Sequence, residues 1–300
     1  MRKAPWIGIG TSGEWYDSPS ALADSGLNFN VTQQKLYVAS DGQIVPGYFA
    51  NVREDTGEIL GVTTDTYGLV QNESAFSMID PWLGEGGKIT HAGMTKTGML
   101  FMVAEIETFN ALGDAYTLFA CAMNSFNTKF PCSVFLTSLR VVCQNMFARL
   151  LGSADTTKIM FRHAGNAEQR VMNAAAIARC IADYEQDFNK KLDRLALHPA
   201  NVGAFLDALF PFTLKEDAPR YMTSKIANEQ AREDFVANYY NVDDNANFIG
   251  TSLGLVNAYY DFLSHRPEMR KASKSWDDIR LSGLMSGTMV QSKVMDTLLR

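Results

Sequence analysis

The 300 residues carry 46% hydrophobic side chains and a formal net charge of −6, which is enough apolar material to bury a sizeable core and excludes a disordered chain. The acidic balance argues against a surface that binds polyanions all over. No window approaches the roughly eighteen uncharged apolar residues that a membrane span needs, and the opening MRKAPWIGIGTSG lacks the apolar region of a signal peptide, so the chain reads as cytoplasmic and free of membrane.

In chain order, GIGTSG at 8–13 matches the letters of a dinucleotide fingerprint. That motif must follow a strand and open a helix. Few residues precede this one, and Glu14-Trp15-Tyr16-Asp17 is a poor helix start that puts a carboxylate where a pyrophosphate would lie. It reads as a glycine-rich entry segment, and no cofactor is expected.

VPGYFANVREDTGEILGVTTDTYGLV places two β-rich runs around Asp55-Thr56-Gly57, which predicts a hairpin over about 47–64. Asn72 ahead of 73–83 predicts a capped helix. KITHAGMTKTGMLFMVAEIET and AYTLFACAMNSF predict three strands, the first two joined at Lys96-Thr97-Gly98. The third is apolar on both alternating faces, as a central strand requires.

TSLRVVCQNMFARLLG at 137–152 is the most unusual stretch, with a cysteine, two arginines and a Gln-Asn pair among apolar residues. Helical spacing over about 134–151 puts Phe135, Leu139, Val142, Cys143, Met146 and Leu150 on one arc, with Thr137, Arg140, Gln144, Asn145 and Arg149 on the other. Gly152 reads as the C-cap. On that reading Cys143 is a small buried hydrophobe, because a reactive thiolate needs an exposed, electropositive setting. A Cys-His-Asn hydrolase from Cys143, His163 and Asn145 or Asn166 is therefore disfavoured, though alkylation of the native thiol would test it. The four cysteines (121, 132, 143, 180) and four histidines (91, 163, 198, 265) have no zinc spacing. Asp243 and Asp244 read as part of a solvated Asn-rich connection. No enzyme constellation emerges and no metal is expected.

From about 166 onward the periodicity is helical, with helices predicted over 167–197 and near 201–210, 224–240, 248–264 and 275–299. The organisation is thus an α+β core over 1–165 followed by a helical region over 166–300 packed on it.

Charge is uneven. Between Met123 and Arg170 six cationic residues face two anionic ones, a net +4 that leaves −10 for the rest of the chain. The cations interleave with Phe126, Phe130, Phe135, Phe147 and Phe161, which pairs phosphate-binding groups with rings on which bases stack.

Several runs carry a family resemblance. PWIGIG, then VREDTGEILGV, YGLVQNESAF, RVVCQN and RHAGN resemble, in order, the motifs of the phage- and plasmid-type proteins grouped as domain of unknown function nine-three-two. Ile7 and Ile9 stand where that pattern has His and Leu, and Ala164 where it has Thr. The resemblance implies a mobile-element origin and no particular activity. A second similarity is in the order of elements: a helix, three strands and a long helix over 134–151 resemble the β-β-β-α core of single-strand annealing proteins of the Rad-fifty-two and Red-beta/RecT superfamily. That resemblance implies binding and annealing of single-stranded DNA by a ring or filament of identical subunits, in homologous recombination. It implies phosphate contacts from Lys129, Arg140, Gln144, Asn145, Arg149, Lys158 and Arg162. The competing reading is an interaction factor in which an acidic surface acts on a host defence protein.

Overall fold

The computed structural model describes residues 4–84, 86–141, 145–146, 158–166, 181–265, 276–286, 294 and 297–298. Strand β1 (Thr11–Trp15) and helix α1 (Ser18–Ser25) come first. Asp17 starts α1 by accepting from the Ser20 amide at 2.8 Å, and Gly26, at φ 69°, ends it, because a left-handed residue at that point suits glycine. A small antiparallel sheet, the wing, follows: β2 (Val31–Tyr37), β3 (Ile44–Arg53) and β4 (Ile59–Thr64), in the order β2-β3-β4.

After helix α2 (Asn72–Phe76) and a 3-10 turn (Ser77–Trp82) comes the large antiparallel sheet. It contains β5 (Lys88–Met94), β6 (Met99–Ala111), β7 (Asp114–Ser125), β8 (Cys132–Arg140), β9 (Asn145–Met146) and β10 (Lys158–Phe161), in the order β1-β5-β6-β7-β8-β10, with β9 also on β8. The second half is helical: α3 (Ile181–Leu197), α4 (Val202–Leu209), α5 (Tyr221–Asn241), α6 (Ser252–His265) and α7 (Trp276–Ser286). The class is α+β, as the sequence indicated.

The expected turns form where glycine supplies a positive φ, at Gly57 (73°) between β3 and β4 and at Gly98 (83°) between β5 and β6. β7 lies between β6 and β8 and is central. The Gly8–Gly13 run leads into β1 and not into a helix. Gly10 packs against the Ala92–Gly93 backbone so closely that an added Cβ would lie 2.4 Å from the Ala92 carbonyl oxygen. The predicted helix 73–83 shrinks to one turn of α2 before the 3-10 turn that holds Pro81. Asn72 does not cap it; the side chain is buried and donates to the Leu27 carbonyl at 2.9 Å.

The main correction concerns 134–151. Up to Arg140 this stretch is strand, with eight registered pairs to β7 from Tyr116↔Arg140 to Met123↔Ser133. Both faces of β8 are buried along its whole length. A continuous apolar run satisfies helical and alternating templates alike, and Val134, Phe135 and Thr137 suit a pleated surface. One face of the sheet lies under α3, where Phe188 meets Tyr116 and Phe109 edge-on at 5.2 and 5.6 Å and the Tyr184 hydroxyl lies 3.0 Å from Ser138 Oγ. The N-terminal segment covers the other, with Trp6 against Phe119 at 5.0 Å. α7 grips the β5–β6 turn: Asp278 accepts from the Lys96 amide at 2.9 Å, and the hydroxyls of Thr97 and Ser282 lie 2.7 Å apart.

Candidate nucleic-acid interface

The wing meets the large sheet at the end where β7 turns into β8. On the inner face of the wing, Asn51 Nδ2 donates to the Phe126 carbonyl at 2.7 Å, and Thr63 and Gln33 bond in sequence behind Asn51 at 3.4 and 3.3 Å. Gly61 stands opposite Asn51; a Cβ there would lie 2.5 Å from the same carbonyl oxygen, so only glycine lets the wing approach this closely. Asn124 Nδ2 donates to the Val70 carbonyl at 3.0 Å, and Asn127 Nδ2 to the Thr97 carbonyl at 3.0 Å. Ser125 Oγ donates to the Phe130 carbonyl at 2.7 Å. The connection from Phe126 to Pro131 is thus fixed from three sides. It holds Thr128 at φ 63°, a conformation that costs a β-branched residue about 1–2 kcal/mol, next to the exposed Lys129.

A second interlock joins β10 to the segment after the wing. Tyr67 donates its hydroxyl to the Ser125 carbonyl at 2.8 Å, and its ring stacks on His163 at 4.8 Å with 14° between planes. His163 Nδ1 lies 3.2 Å from the Gly68 carbonyl oxygen, so this nitrogen carries the proton and Nε2 the lone pair. Nε2 is buried and has no hydrogen-bond partner among the described residues. Burial moves the imidazole down to about 4 from its ordinary 6.5, which keeps it neutral, and pushes the Tyr67 hydroxyl up. A Cβ on Gly68 would lie 2.5 Å from the Gly165 carbonyl oxygen. YGLVQN and RHAGN, distant in sequence, therefore close on each other with no room for a side chain between them.

The seven expected contact residues divide. β10 pairs with β8 so that Phe161 faces Cys132 and Lys158 faces Phe135. Lys129, three residues before Cys132, and Arg162, one after Phe161, are both exposed at this end, and Lys158 lies on the same edge strand. Arg140 is at the far end of β8, roughly 26 Å away at ~3.3 Å per residue. It is 4% exposed and does not face solvent as the helical reading required. Its Nε and Nη2 donate to Asp114 Oδ2 at 3.0 and 2.7 Å, its Nη1 donates to the Asp244 carbonyl at 2.9 Å, and Phe248 lies 5.7 Å from the guanidinium. A planar guanidinium with five donors suits such a buried fork. Asn145 stands opposite Arg140 on β9. Gln144 and Arg149 lie outside the described residues, as does Cys143.

Sequence reasoning missed Tyr67, Asn51 and Asn127. The only signal was indirect: Tyr67-Gly68 belongs to a motif whose partner, His163-Ala164-Gly165, is itself a motif. Among the described residues no three His, Cys, Asp or Glu side chains are grouped to hold a metal ion.

A family model described as Domain of unknown function (DUF932) matches residues 59–282, from β4 into α7. The chain is a DUF932 protein. No curated protein and no solved structure is detectably similar to it. In this DUF932 chain, the arginine opening RVVCQN is an internal staple, whereas His163–Gly165 and YGLVQN close on each other directly after the exposed Arg162.

Proposed function

We propose that this DUF932 protein binds single-stranded DNA along the β10 edge of its large sheet and anneals complementary strands. One observation carries the reading: Lys129 and Arg162 are exposed on the two turns flanking the Cys132–Phe161 pair, with the half-buried rings of Phe130 and Phe161 beside them. Cations spaced along a strand edge attract phosphates without reading sequence, and ring faces accept any base. Lys158, on the same edge strand, brings the cations of this region to three in a molecule whose net charge is −6. Annealing breaks no covalent bond, so it needs a fixed basic track and not a catalytic group.

Fluorescence anisotropy with a labelled oligothymidylate tests it. Binding should weaken steeply with salt, with a log–log slope of about −0.7 per phosphate contact. The pair Lys129→Glu and Arg162→Glu should lower affinity at least about tenfold and flatten the slope by about 1.4. Absence of binding at low salt refutes DNA as the ligand, and binding without faster pairing of complementary strands refutes annealing.

The acidic remainder of the chain favours one alternative: a factor that presents a nucleic-acid-like surface to a basic host defence protein. On that reading the double variant keeps its partner and binds no oligonucleotide in either form.

A further inference from the structure

Among the described residues only Leu112 and Thr128 hold a positive φ without being glycine, at 49° and 63°. Leu112 has a local reason. With Gly113 it makes the two-residue turn between the paired Ala111 and Asp114, and the common turn of that length takes a positive φ at both positions. Thr128 has no such reason, because the connection from β7 to β8 runs over the six residues 126–131, and a loop of that length can be built around an ordinary type I turn. A β-branched residue is also the type that this conformation suits least. Where the wing and the β5–β6 turn press on the same connection, the chain uses glycine, at Gly61 and Gly98.

The bonds that hold the connection do not use the Thr128 side chain. Asn127 Nδ2 donates to the Thr97 carbonyl and its Oδ1 accepts from the Lys129 amide at 3.2 Å, while the Phe130 amide donates to Ser125 Oγ at 3.3 Å. Thr128 itself is exposed, beside the exposed Lys129. The backbone is thus fixed in a shape that costs the fold stability, for a side chain that faces solvent. Strain kept at an exposed residue points to a contact with something outside the chain.

We propose that Thr128 is a contact residue of the single-stranded DNA site, its hydroxyl donating to a phosphate oxygen whose charge the Lys129 ammonium offsets. This inference rests on the DNA reading above and adds to it a neutral donor that composition and charge do not reveal. Threonine hydroxyls are common phosphate partners. Branching at Cβ, which makes the backbone angle unfavourable, also limits the side chain to few rotamers, so the hydroxyl is aimed before the strand arrives and little freedom is lost on binding.

Anisotropy with labelled oligothymidylate across a salt series, together with urea unfolding, tests the assignment on three variants of the full chain. Thr128→Val keeps the branch and removes the hydroxyl; it should lose about tenfold in affinity with an unchanged salt slope, because a neutral donor displaces no counterion. Thr128→Ser keeps the hydroxyl and should bind within about threefold of wild type. Thr128→Gly should bind as poorly as Thr128→Val yet unfold at a higher urea concentration, since glycine takes this backbone angle without strain. Thr128→Val binding like wild type overturns the proposal and leaves the DNA reading standing, as does a Thr128→Ser loss equal to that of Thr128→Val. A flatter salt slope in Thr128→Val also overturns it, since residue 128 would then act only by holding Lys129 in place. A wild-type chain that binds no oligonucleotide at low salt refutes the DNA reading and this inference with it.

Discussion

At the scale of single residues, His163 is the group whose chemistry departs most from solution. Its ring is clamped between Tyr67 and the Gly68 carbonyl, and burial lowers its folded pKa to about 4. In the unfolded chain it takes up a proton near the ordinary 6.5, so between these two values the unfolded state binds more protons and stability falls as pH falls. The contribution is whole above about 6.5 and lost progressively toward 4. His91, also lowered by burial, acts with the same sign. Urea unfolding at pH 7 and pH 5 should show wild-type chain losing about 2 kcal/mol through His163 alone, and His163→Phe, which keeps a stacking ring, should remove that part of the loss. Equal pH slopes in both proteins would mean that the imidazole is not buried as described.

At the scale of elements, β8 decides the architecture and was the element that sequence patterning misplaced. Hairpin turns were legible because Gly57 and Gly98 are local requirements. β7 was legible because its apolar alternation runs on both faces. β8 was not, since its neighbours bury both of its faces and erase the polar side from which a strand is recognised. β2, with VTQQKLY, hides for the opposite reason: it sits in the wing and its polar residues resemble a loop. Lys129 and Arg162 lie outside 134–151, so the change from helix to strand leaves their exposure untouched. The burial of Arg140 was not legible, because its partners Asp114 and Asp244 are distant in sequence. This pairing is expected to matter. Asp114→Ala should destabilise the fold by about 3–5 kcal/mol in chemical denaturation, since it strands a buried guanidinium, and Asp114→Ala combined with Arg140→Met should recover most of the loss. A surface pair would cost under about 1 kcal/mol.

At the scale of the whole molecule, the helical half is tied to the sheet by Tyr184 on Ser138, by Arg140 on the Asp244 carbonyl and by α7 on the β5–β6 turn. These ties predict a single unfolding transition despite the length of the chain. Tryptophan fluorescence, which reports Trp6, Trp15 and Trp82 on the sheet side and Trp276 in α7, should coincide with far-ultraviolet circular dichroism during heating. Separate midpoints would show the halves to be independent. Arg140 also has a consequence for sequence change within the family. Asp114 supplies both of the side-chain contacts to its Nε and Nη2. Positions 114 and 140 should therefore drift together or not at all.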